Sequence, residues 1–165
     1  MGFTAYLEGK YGPGVIDGMA ARLGDAAAAD GLPLVDLGEL ERRPSTFLGH
    51  RLLAGALEEG EDVEQTLQQR LGLGLLSAYW ARGADIGDRA VLEDLAEAAG
   101  MPAERVAAAL DGELTATAVR LDERRAAELG IRAVPTFVFG GRFAVSGAQS
   151  PVALADAARR ALAGA

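Results

Sequence analysis

Apolar positions recur every three to four residues through most of the chain, the period of a helix that buries one stripe. A short helix over 3–10 stops at Gly12-Pro13, and 14–29 carries Val15, Ile16, Met19, Ala20 and Leu23 on one face before Gly31 closes it. Residues 32–44 keep no period and end in Pro44, which predicts a connector; Ser45 or Thr46 then caps a helix over 46–59. Asp62 and Gln65 have capping-box spacing, and Val63, Leu67, Leu71, Leu75 and Tyr79 follow at intervals of four, predicting a long helix to about Arg82. Gly72 and Gly74 interrupt it at about 1 kcal/mol each relative to Ala, so another helix is expected to pass close by. Asp88 caps a helix with Val91, Leu92, Leu95 and Ala99 inward, Gly100 ends it, and Pro102 opens the next at the first-turn position. A helix over 113–129 offers Leu114, Ala118, Leu121 and Leu129 to a core and a mixed-sign charged face to water.

The pattern changes only between 130 and 149. Two β-prone runs rich in Val and Phe flank Gly140-Gly141, the signal for a tight two-residue hairpin. Phe137-Val138-Phe139 is apolar on both faces, as expected for a strand covered by helices on each side. Ser150-Pro151 then starts a last helix with Val152, Leu154, Ala158 and Leu162.

Composition narrows the function classes. With 165 residues, half of them hydrophobic, the chain has the size of one domain with its own core. A net charge of -8 argues against nucleic acid or an anionic membrane as partner, because both require a concentrated basic face. The absence of Cys removes disulfides, thiolate metal sites and thiol catalysis by this chain. No apolar run approaches the ~18 to 20 residues of a membrane helix, and the start lacks the pattern of a secretory signal, so a cytoplasmic protein is expected.

Val134-Pro135-Thr136-Phe137 followed by Ser146-Gly147-Ala148-Gln149 strongly resembles the FrnE-like branch of the DsbA family. Tyr6 to Gly12, Thr46 to Leu52 with its His50-Arg51-Leu52, and Gly83 to Asp88 extend the resemblance over essentially the whole chain. It implies a mostly helical α/β fold: a truncated thioredoxin-like, DsbA-type domain over 1–165, with a helical insertion over about 3–112 and a helix-strand-strand-helix remnant over about 113–165. Relatives begin with a strand, a Cys-containing turn, a helix and a second strand, which this sequence lacks. The related hydroxychromene-carboxylate isomerases use a Ser and glutathione at that place. Two accounts stay open: a shortened relative with a new task, or a fragment whose other part was removed or lies on another polypeptide.

The resemblance further implies a cis Val134–Pro135 bond that shapes a site. His50 is the only histidine, hence the one side chain whose unperturbed pKa suits proton transfer near neutrality. Tyr79 and Trp80 are fitted to wall an aromatic pocket, and Gln149 adds a polar group after the hairpin. The expected site therefore joins His50 as acid/base with Tyr79, Trp80, Val134, Pro135 and Gln149 as substrate contacts. A lone His without a carboxylate at helical spacing is a poor ligand set, so no metal or cofactor is expected. In the parent fold the strand near 136–139 pairs with one from the absent unit, and its freed edge is expected to pair with a second copy, giving a homodimer. The readings are a non-redox isomerase or cyclase acting on a hydrophobic small molecule, and a non-catalytic binding or assembly subunit.

Overall fold

The computed structural model describes residues 3–40, 43–57 and 66–164. They form eight α-helices and one hairpin: α1 (Phe3–Tyr11), α2 (Val15–Ala29), α3 (Phe47–Gly55), α4 (Leu67–Arg82), α5 (Arg89–Ala98), α6 (Ala103–Asp111), α7 (Glu113–Glu128), β1 (Thr136–Phe139), β2 (Phe143–Ser146) and α8 (Pro151–Ala163). The chain divides into two compact units, Met1–Val119 and Arg120–Ala165, with the division inside α7. This is the mostly helical α/β class that the sequence implies.

In the first unit, α3 to α6 enclose the main core. Leu67, Leu71 and Leu75 of α4, four residues apart as expected, are buried beside Leu52, Leu92, Met101, Val106 and Leu110. Each fully buried leucine contributes roughly 1.5–3 kcal/mol, which fixes the orientation of α4. Its first turn is closed by a capping box in which Thr66 Oγ1 accepts from Gln69 N–H (3.2 Å) and Gln69 Oε1 from Thr66 N–H (2.9 Å). The Asp62–Gln65 pattern, with Val63, lies outside the described residues. Asp88 caps α5 as expected, its Oδ1 accepting from Ala90 and Val91 N–H at 2.8 and 3.2 Å. Pro102 is the N-cap of α6, one position before the expected first turn.

The close helix approach occurs elsewhere than the glycines of α4. A Cβ at Gly72 or Gly74 would meet only leucine methyls at 3.8 and 3.7 Å, ordinary contacts, whereas one at Gly55 would lie 2.6 Å from Ala109 Cβ. There α3 and α6 touch, and two guanidinium groups tie them end to end. Arg51 of α3 donates to the carbonyls of Ala109 (3.0 Å) and Gly112 (2.7 Å) at the end of α6, while Arg105 of α6 donates to Gly55 O (2.7 Å) and Leu57 O (3.3 Å) at the end of α3. Each cation satisfies carbonyls that its partner helix leaves without intrahelical donors, at the negative end of that helix.

A smaller cluster buries Leu7, Leu37 and Leu40 against Tyr6, Val15, Ile16, Met19, Tyr79 and Trp80. Within the 32–44 connector, Leu37–Glu39 forms one 3-10 turn, with Asp36 Oδ1 accepting from Gly38 N–H at 2.8 Å. Thus α4 serves both clusters, its leucines the first and its terminal aromatics the second.

In the second unit, β1 and β2 pair antiparallel with Phe137 opposite Val145 and Phe139 opposite Phe143. Gly140 and Gly141 have φ of 57° and 68°, the left-handed values that a primed hairpin turn requires. Arg142 N–H donates to Phe139 O (3.2 Å) and remains unpaired in the ladder, so the connection has three residues, one more than the Gly-Gly pair suggests. Ser150 caps α8 by accepting from Ala153 N–H. The expected core faces shift in α7, which both units share, and in α8. Val119 is the buried residue of α7 while Leu114 is 88% exposed; Ala157 is the buried residue of α8 while Val152 and Leu162 are exposed. In β1, Val138 is 42% exposed while Phe137 and Phe139 are partly covered, so one face is covered better than the other.

Candidate ligand-binding groove

Two helical stripes in the first unit face each other across an open groove of about 630 Å³. The stripe on α2 is Leu23, Ala26 and Ala27, continued by Asp30 at the helix end; that on α4 is Leu73, Leu76, Ser77 and Trp80. Both follow the i, i+3, i+4, i+7 spacing of one helix face. The groove persists because α2 is anchored at one end only. Val15, Ile16 and Met19 pack on the Leu7–Leu37–Leu40 cluster, but the following stripe is largely alanine, too short to fill the space toward α4. No residue of α2 is buried. A second recess of about 410 Å³ on α2 is lined by Ala20, Gly24, Leu34 and Leu37.

The segment Leu32-Pro33-Leu34 also lines the groove, and its path is set by main-chain bonds. Gly31, with φ of 66°, ends α2: Gly31 N–H donates to Ala28 O and Leu32 N–H to Ala27 O, the paired bonds of a Schellman ending. Val35 N–H then donates to Trp80 O at 2.7 Å, fastening the connector to the end of α4. Leu23, Leu32, Leu73 and Leu76 are between 37% and 62% exposed, so the groove presents apolar surface to solvent. Such exposed apolar surface, when contiguous, marks a place where something binds.

Among the expected site residues, Tyr79 and Trp80 are brought together: their rings lie edge to face, with centroids 4.9 Å apart at 74°. Trp80 lines the groove, whereas Tyr79 packs only in the smaller cluster. Burial raises the Tyr79 phenol above its ordinary pKa, and the Arg43 cation offsets part of that rise, so the phenol is neutral at physiological pH. His50 is exposed on α3 and does not line the groove; among the described residues no side chain hydrogen-bonds to its imidazole. The adjacent Arg51 is the residue of that motif with a built environment, in the helix tie described above.

The other expected residues meet at one end of the hairpin. The Val134–Pro135 bond is cis, Val134 is 90% exposed, and Pro135 O accepts from Gly147 N–H at 2.8 Å. Gln149 Nε2 donates to Ser146 O (3.1 Å), while Thr136 Oγ1 donates to Ala133 O (2.6 Å) and lies 3.3 Å from Ser146 Oγ. These bonds hold the two strand ends and leave Val134 in solvent.

Sequence reasoning missed Leu23, Asp30, Leu32, Leu73 and Leu76 as groove residues. One signal was present: Leu73 and Leu76 stand off the Leu67-Leu71-Leu75 stripe, and Leu76 is one turn before Trp80 on the same face. Among the described residues no three His, Asp or Glu side chains converge in a way that would hold a metal ion. None of the described helices is long and apolar enough to cross a membrane.

No curated protein matches the chain. A family model for the DSBA-like thioredoxin domain matches residues 8–159. The helices, the hairpin and its cis proline lie in that span, and the sequence has no cysteine. The chain therefore belongs to the family of DSBA-like thioredoxin domains, as a member that carries no thiol of its own.

Proposed function

We propose that this protein binds a hydrophobic small molecule in the groove between α2 and α4 and performs no thiol–disulfide exchange of its own. The observation that carries the reading is the groove itself. It has about 630 Å³ of space, apolar stripes on both walls and Trp80 among its lining, a volume within the roughly 300–1,000 Å³ of small-molecule sites. Without a cysteine, thiol–disulfide chemistry requires a thiol from elsewhere. The test is uptake of the neutral fluorescent probe N-phenyl-1-naphthylamine. Saturable uptake by the parent and its loss in a Leu73→Gln/Leu76→Gln variant support the reading; equal uptake by both contradicts it. Leu73 and Leu76 are 56% and 57% exposed, so the substitutions leave the fold intact.

The isomerase or cyclase reading assigns proton transfer to His50. That role lacks support from the groove, which His50 does not line. Once a substrate is in hand, a His50→Ala variant that retains full turnover removes the assignment.

A second reading, assembly as a homodimer, is favoured by the strand register. Since Gly147 N–H bonds Pro135 O, residues 135, 137 and 139 pair inward, and Thr136 and Val138 direct their main-chain groups to the outer edge of β1. A two-fold pairing centred on Phe137 would set Thr136 opposite Val138 of the second copy. Light scattering should give a dimer mass that Val138→Pro, which removes one outward N–H, reduces to the monomer; a monomeric parent contradicts the reading.

A further inference from the structure

Resting on the groove reading, we infer that the ligand is an amphipathic cation, an apolar body carrying an amine, whose charge is received by Asp30. Among the described residues Asp30 is the one ionisable residue in the groove's lining, which otherwise consists of apolar residues and Ser77. It is also placed against a local rule. Asp30 is the C-cap of α2, where the helix carbonyls already concentrate negative potential and a carboxylate is unfavourable. No side-chain ion pair or hydrogen bond compensates it among the described residues. Departures of this kind from local preference concentrate at functional positions, and a cation bound in the groove beside Asp30 would relieve this one. The helix end and the carboxylate then act on the ligand together.

One cation reaches the groove wall from outside the lining. Arg82 does not line the space; its Nη1 donates to Ser77 Oγ at 2.9 Å. Ser77 keeps its own hydroxyl proton, so the α4 wall offers a neutral donor suited to an ether, carbonyl or hydroxyl on the ligand body. The groove lining thus combines the Asp30 carboxylate, apolar walls and one hydroxyl.

Trp80 is the only tryptophan in the chain, so the emission comes from one residue that lines the groove and also packs on the smaller cluster. Decylamine, decanol and decanoate, each below its micelle concentration, share one apolar tail and differ in charge. The proposal expects saturable changes in Trp80 emission with decylamine bound roughly two- to fivefold more tightly than decanol, the range for one exposed charge at a helix end, and decanoate weakest. Asp30→Asn should equalise amine and alcohol, Asp94→Asn on the exposed face of α5 should leave the preference intact, and added salt should shrink it. Equal binding of amine and alcohol by the parent overturns the inference but leaves the groove reading standing. So does an amine preference that survives Asp30→Asn, or a carboxylate preference abolished by Arg82→Gln. Absence of saturable binding by all three overturns both.

Discussion

Gly55 of α3 lies against Ala109 of α6 with no room for a side chain: a Cβ at Gly55 would come within 2.6 Å of Ala109 Cβ and 3.5 Å of both Ala109 Cα and Met101 Cε. Helix propensity favours Gly→Ala by roughly 1 kcal/mol, but overpacking a rigid contact costs about 1–3 kcal/mol. Gly55→Ala should therefore destabilise the protein by up to about 2 kcal/mol in urea unfolding, with the balance set by how far α3 and α6 separate.

The same substitution has the opposite sign on α4. A Cβ at Gly72 or Gly74 would find ordinary contacts at 3.8 and 3.7 Å, so Gly72→Ala and Gly74→Ala should each stabilise by about 0.4–1 kcal/mol. The three midpoints measured together separate close approach from mere glycine content.

Arg51 and Arg105 are expected to resist conservative replacement. Arg51 spans two carbonyls of α6 and also lies 3.3 Å from Thr115 Oγ1, a set that one ammonium group cannot reproduce. Arg51→Lys should lower stability by about 1–2 kcal/mol, and Arg51→Met by about 1–3 kcal/mol because Ala109 O and Gly112 O are left to share the single hydroxyl proton of Thr115. Thermal melts at neutral pH read the difference.

The exposed pair of Arg89 and Asp111 predicts a pH dependence. Hydrogen bonds from the Arg89 guanidinium, at 2.7 and 2.9 Å, hold the Asp111 carboxyl below its ordinary value of 3.8. The folded pKa is depressed, so this stabilisation is present above the unfolded value and is lost as pH falls through the folded one. Both groups face water, and the effect is small and weakened by salt. Urea midpoints of the parent and Arg89→Gln should differ slightly at pH 7 and converge as pH falls below 3.8 and through the depressed folded value. A gap that persists in acid contradicts this account.

Local signals in the sequence located most elements because their causes are local. Asp88 and Ser150 cap helices through bonds to residues two or three positions on, and Gly140-Gly141 supplies the positive φ of the turn. The α4 leucines are legible because a four-residue repeat of one large residue has few alternative uses. The start of α4 was harder to place, since Asp62–Gln65 and Thr66–Gln69 carry the same spacing. In α7 a helical period alone could not select Val119 over Leu114. The groove was least legible, because it arises between two stripes far apart in sequence, one of them mostly alanine. Trp80 was visible as a candidate, but its partners across the gap depend on how α2 returns to α4 through residues 30–35.

The measurement closest to the central claim is an isotope-edited nuclear Overhauser experiment on the parent protein with decanol. The account predicts contacts from the ligand chain to the methyl groups of Leu23, Leu32, Leu73 and Leu76 and to the Trp80 indole. Contacts confined to other residues, or none with ligand in saturating excess, would contradict it.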